Sequence, residues 1–203
     1  MKNIIKSIMM IITMIILTSC NNDETGNGNL TIHFENTFEE SEIVFNEPTL
    51  ETSNSEVLKI STVKYMISNI ILTNYDGSTL SCPGNHLIDE SSNINIELSD
   101  IPFGNYIGIK FKVESLSFEG TFISPSILVD TPFIIDNNNY SEVSLSLLPT
   151  KAYVRSNITP GIHMNAELSK SIEGVNLISP NLNVVTTNTA TMFSVEHIHN
   201  DAN

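Results

Sequence analysis

The sequence predicts an all-β protein, a single-domain antiparallel β-sandwich of immunoglobulin-like or related form. Three observations predict it. Apolar residues recur with period two along most of the chain, turn-forming clusters break that pattern at short intervals, and only one short stretch loosens toward a helix. Successive side chains of a strand point to opposite faces, so strict alternation marks a strand with one face in a core and one in water. Many short strands with regular turns pack as two sheets.

Taken in order, "LTIHFENTF" sets Leu30, Ile32 and Phe34 against Thr31, His33 and Glu35. "KYMISNIILTNYDGSTL" reads as a strand entering a hairpin at Asp76-Gly77, a dipeptide suited to tight hairpin turns. "NINIEL" alternates Ile94, Ile96 and Leu98 with Asn95 and Glu97, and "EVSLSLL" alternates Val143, Leu145 and Leu147 with Ser144 and Ser146. "GIHMNAEL" sets Ile162, Met164, Ala166 and Leu168 against His163, Asn165 and Glu167. Turn signals lie at "YDGS", "CPGN", "IPFG", "DNNN", "ITPG" and "ISPN". The helix candidate is "LSKSIEG" (168–174). The expected core contains Ile32, Phe34, Tyr65, Ile67, Ile70, Phe111, Leu145 and Ile162. The last strand is "MFSVEHIHND" (192–201). Unbroken, it puts Phe193, Val195, His197 and His199 on one face and Ser194, Glu196 and Ile198 on the other, so both imidazoles fall on the apolar side. Met192 faces away from the histidine pair and reads as core packing.

The first 20 residues have the layout of an export signal. Lys2 and Lys6 precede an apolar run from Ile8 to Leu17, too short to span a bilayer stably, and "LTSC" is similar to a bacterial lipobox. The expected organisation is therefore a lipoprotein signal peptide over 1–19, a polar tether over 20–29 and one domain over 30–203. Cys20 is then the lipidated N-terminus and the membrane anchor. Asp23 and Glu24 behind it are similar to the acidic surface-export signals of Bacteroidetes-type lipoproteins. The expected location is the outer membrane, on its periplasmic or cell-surface face.

The chain carries 9 basic and 23 acidic residues; loss of residues 1–19 removes two lysines and no acid, taking the formal charge from −14 to −16. A molecule of that charge repels nucleic acid and anionic membrane surfaces, so neither is an expected partner. With Cys20 assigned to lipid, Cys82 is left without an internal disulfide partner. It is buried, paired with another chain, or a soft metal ligand. No G-x-S-x-G, P-loop or H-E-x-x-H motif occurs, and "IPFGNYIG" lies between strands rather than opening a helix. Pairs such as Glu39-Glu40 and Asp89-Glu90 read as solvated surface. The expectation is a binding protein and not an enzyme.

Four stretches carry a resemblance: "STVKYMISNIIL" (61–72), "HLIDE" (86–90), "IPFGNYIGIKFKVE" (101–114) and "MFSVEHIHND" (192–201). In order and rough spacing they resemble the MbnP-like copper-binding protein family, extracytoplasmic β-proteins that are often lipoproteins. The resemblance implies a β-sandwich that binds copper. In some members it also implies a di-haem peroxidase-like partner that oxidises a tryptophan of the copper protein to kynurenine. This chain has no tryptophan, so that ligand is absent. The long insertion that many members carry after "FKVE" and the multi-cysteine pattern of some are missing as well.

The remaining donors can be weighed singly. Neutral imidazole is an excellent copper ligand, and His197 and His199, two residues apart, can converge on one ion or simply sit in an exposed tail. His163 lies on the polar face of its strand, as a solvated histidine or a third ligand. His33 and His86 are the weaker candidates, read first as solvated and as hydrogen-bonded to a loop. Two functions stay open: an extracytoplasmic lipoprotein that binds or handles copper, and a metal-free cell-surface binding or structural module of the same fold.

Overall fold

The structure, a computed structural model, describes residues 25–48, 50–52, 55–172, 177 and 189–201. The signal segment, Cys20 and the first half of the tether lie outside the described residues, as do all of "ISPN" and the end of the helix candidate. Alternation becomes strand throughout. The described strands are β1 (Asn27–Phe38), β2 (Ser41–Glu42), β3 (Leu50–Glu51), β4 (Val57–Asn74), β5 (Thr79–Asp89) and β6 (Asn95–Pro102), followed by β7 (Gly104–Ser124), β8 (Ile127–Asn137), β9 (Ser141–Ser146), β10 (Ala152–Val154), β11 (Gly161–Glu167) and β12 (Phe193–His199). The helix candidate shrinks to a single 3-10 turn, Leu168–Ser171, and a second such turn, Thr189–Met192, leads into β12. Among the described residues no helix is long and apolar enough to cross a membrane.

Two sheets face each other. In the first, β12, β11 and β1 lie side by side, and β6 and β2 pair successively along the far edge of β1. The second is built on two long strands, β4 and β7, with β5 and β3 along β4 and β8, β9 and β10 along β7. Pairing is antiparallel with one exception among the described strands: β1 and β11 run parallel, Thr31 opposite Gly161 through Thr37 opposite Glu167. That one parallel pairing sits within the mostly antiparallel sandwich that the sequence predicts. It joins strands about 130 residues apart in sequence, which no local turn signal encodes.

The inward-facing residues fill the space between the sheets. Ile32, Phe34, Tyr65, Ile67, Ile70, Phe111 and Ile162 are all at or below 1% exposed, and Leu145 packs half-buried against them. Phe193, the first residue of β12, inserts among Phe34, Tyr65 and Phe111, with centroid separations of 6.2, 5.7 and 5.4 Å and edge-on geometry. Edge-to-face pairs add roughly 0.5–1.5 kcal/mol each beyond area burial, so this ring fixes the last strand in the sandwich. Met192 is buried, as the sequence implied. The corner between β1 and β2 is held differently. Glu39 and Glu40 adopt left-handed φ values of 49° and 62°, and both donate their backbone N–H groups to the Glu167 carboxylate at 2.9 Å. The same carboxylate accepts from the hydroxyls of Thr37 and Ser169.

Candidate metal centre

The outer face of the first sheet gathers the histidines. Register places Asn95 opposite His33, His33 opposite His163, and His163 opposite His197, one row across β6, β1, β11 and β12. The next row reads Glu97, Thr31, Gly161 and His199. His33 and His163 fall on the polar faces of their strands, where alternation put them.

His197 and His199 do not lie where an unbroken strand puts them. Val195 pairs with Met164 and His197 with His163, so Glu196 has no opposite number and β12 is bulged at that residue. A bulge of one residue exchanges the two faces of everything beyond it. Phe193 and Val195 therefore point into the core, while His197 and His199 turn outward and Ile198 takes the inward position beside Ile162. The expectation that both imidazoles share the apolar face is corrected by this one residue. The correction is also what brings them to His163.

One ring nitrogen from each of His163, His197 and His199 lies within 4.8 Å of the others. The rings of His163 and His197 stack at 4.1 Å with 17° between planes, and His199 sits 5.0 Å from His163. Gly161 makes room for that last ring: a Cβ there would overlap the His199 imidazole. His199 Nε2 has Asp201 Oδ2 3.9 Å away. Partial burial holds the His163 imidazole below its ordinary value, and the neighbouring His197, His33 and His199 add to the shift while Glu196 opposes it. His163 is thereby kept neutral, the form that has a lone pair to give.

Three imidazole nitrogens bound to one ion at about 2.0–2.1 Å lie about 3.3–3.6 Å apart. The three rings need to close by up to about 1.5 Å to meet that geometry, a movement that rotation of the partly exposed His197 and His199 side chains can supply. An all-nitrogen donor set suits copper or zinc and is a poor match for calcium or magnesium, which take oxygen. The residues present therefore fit a copper ion.

His33 stands beside the cluster rather than in it. Its ring is 4.8 Å from that of His163, and its Nδ1 meets Asn95 Oδ1 at 2.7 Å. An acceptor there places the proton on Nδ1 and leaves Nε2 with the lone pair. His86 is elsewhere altogether, on β5 of the other sheet. Three features of the site were not picked out from the sequence: Asn95, Gly161 and the bulge at Glu196. Gly161 had a readable signal, a residue without a side chain two places before His163 on the same strand face. The acidic pairs divide. Glu39-Glu40 is exposed, as read, but Asp89 pairs with Lys64 at 3.0 Å and Glu90 accepts from the Asn36 amide. Burial pushes the Glu90 carboxyl above its ordinary value. Cys82 is buried and free.

Fold and site together define a class: a two-sheet β-sandwich with an imidazole cluster on the outer face of one sheet. Within that class, residues 27–114 match the family model of MbnP, the family that the sequence motifs resemble. The matched stretch contains His33 and His86 but ends before β11 and β12, so the three-histidine cluster stands on its own geometry. Among solved structures, the chain is similar to MbnP from Methylosinus trichosporium, at 10% identity and a TM-score of 0.49 over 87% of this chain and 99% of that one. No curated protein matches the sequence.

Proposed function

We propose that this protein binds copper outside the cytoplasm, through the imidazoles of His163, His197 and His199. The observation that carries the reading is the convergence of three ring nitrogens within 4.8 Å from two neighbouring strands, achieved by a bulge that costs the ladder one pairing. Partly exposed surface histidines have no packing reason to stack, and three of them in one place repel one another once protonated. The match of residues 27–114 to the MbnP family supports copper over other metals. The export-type start of the chain supports an extracytoplasmic, lipid-anchored location at Cys20.

His163 supplies the fixed donor, on a strand with neighbours on both sides. His197 and His199 close on it from the sheet edge. These rings would donate their lone pairs to a copper ion, and imidazole ligation in low coordination number would suit its cuprous state. No tryptophan exists for a di-haem partner to convert, so the donor set is imidazole throughout, and the role is binding or transfer rather than catalysis.

Copper titration against a competing chelator tests this, comparing wild type with His197→Ala/His199→Ala. The wild-type chain should bind one copper at this site and the variant should lose it while keeping its β-type circular dichroism. Equal binding by both places the ion elsewhere, and no binding by either leaves the metal-free surface module, which the missing tryptophan favours.

A further inference from the structure

The two sheets are not joined along one flank. There β5, an edge of the second sheet, faces β6, an edge of the first, and no ladder connects them. Between them opens a cleft of about 310 Å³, whose walls include Cys82 and His86 from β5 and Glu97, Leu98 and Asp100 from β6.

Cys82 pairs with Ile70 and His86 with Ile67, both fully buried residues, so the thiol and the imidazole share the inward side of β5. Between them Pro83 and Gly84 face Asn69 alone, and that bulge draws the two side chains closer along the strand than four regular residues would. Gly84 leaves the intervening space empty. The imidazole leans back over it, with Nε2 3.1 Å from where a Cβ on Gly84 would stand, and so toward Cys82. That nitrogen is shielded from solvent and has no hydrogen-bond partner. Cys82 itself is 9% exposed. A buried ring nitrogen without a partner is costly to keep, and here it opens onto a cavity that also holds a free thiol.

We infer that this cleft is a second metal site, separate from the histidine cluster, in which Cys82 Sγ and His86 Nε2 take one soft monovalent ion such as Ag(I) or Cu(I). Thiolate and imidazole together select soft ions. The ion displaces the thiol proton to solvent as the sulfur–metal bond forms, and no electron changes hands. Burial lowers the His86 imidazole, leaving its lone pair free at neutral pH, and raises the Cys82 thiol, so loss of that proton opposes binding and the sulfur–metal bond must outweigh it. Glu97 and Asp100 give the cleft a negative wall that attracts cations.

The test uses the full chain carrying His163→Ala, His197→Ala and His199→Ala, titrated with Ag(I) against a competing chelator. One equivalent should still bind. Adding Cys82→Ser should abolish it, and adding His86→Gln should weaken it by about tenfold or more. In the wild-type chain, Ag(I) should also protect Cys82 from alkylation. An absence of binding in the triple variant, binding that survives Cys82→Ser, or alkylation unaffected by Ag(I) would each overturn the proposal. If the triple variant binds as many ions as wild type, the histidine cluster is the reading that fails, and the cleft stands.

Discussion

Gly161 shows how narrow the requirements of the cluster are at the level of one residue. Its missing side chain is occupied by the His199 ring, so Gly161→Ala must push that ring off the sheet without touching the core. Copper affinity should fall about tenfold or more while the melting temperature stays within a few degrees, since surface substitutions away from core features typically change stability by about 0.5 kcal/mol or less. A chelator-competition titration alongside a thermal melt separates the two effects. His163 makes a second prediction. Its folded value lies below the ordinary 6.5. The unfolded chain thus binds the proton more readily, and the metal-free protein loses stability as pH falls below about 6.5. Denaturant unfolding between pH 7.5 and pH 5 should show that loss, reduced in His163→Gln, with His86 supplying a further share through its own lowered value. Loss of equal size in the variant would assign it to other groups.

At the scale of elements, the corner between β1 and β2 depends on β11. Burial alone would raise the Glu167 carboxyl, but hydrogen bonds from Ser169, the Glu40 backbone and Thr37 outweigh it and hold the group below its ordinary value. Glu167→Ala should cost about 2–3 kcal/mol, the size expected when backbone groups lose a charged hydrogen-bond acceptor, readable as a lowered urea midpoint. Because the folded value is depressed, this stabilisation is complete above the unfolded value near 4.5 and is lost as pH drops through the folded one, a window well below that of His163. Most elements were legible in the sequence because burial of one face imposes period two, and Ile32, Phe34, Ile162 and Met164 announce their strands without help. The pairing of β1 with β11 was not, since a parallel contact between distant segments leaves no local mark. Nor was the position of His197, because a bulge is chosen by the register of the neighbouring strand rather than by propensity. The loosened pattern at "LSKSIEG" forms a 3-10 turn over Leu168–Ser171 among its described residues, with the Glu167 side chain capping its start.

For the molecule as a whole, core and site are linked through Phe193. Its ring binds the two sheets together from the inside, and four residues further on the same strand bears His197 on the outside. Phe193→Ala should cost about 3–5 kcal/mol and weaken copper binding along with it, because the strand that presents two of three donors loses its anchor. Conversely, copper at one hundred times its dissociation constant should stabilise the fold by about 2.7 kcal/mol, seen as a rise in melting temperature that, in a Cys82→Ser background, the His197→Ala/His199→Ala chain does not show. An equal rise in both would place the stabilising ion elsewhere.

The unpaired residue in β12 has a consequence for how such chains keep or lose a metal. Removing the single codon for Glu196 deletes no donor and takes out only the residue without an opposite number, so His197 stays opposite His163 and Ile198 opposite Ile162 in a regular ladder. A chain shortened in this way keeps all five histidines and, on this geometry, the three-histidine cluster. With Glu196 in place, a ladder that ran on unbroken past Val195 would set Glu196 opposite His163 and turn both imidazoles toward the core. The spacing from Phe193 to the histidine pair therefore tells which face they occupy only when it is read together with the register of β12 on β11.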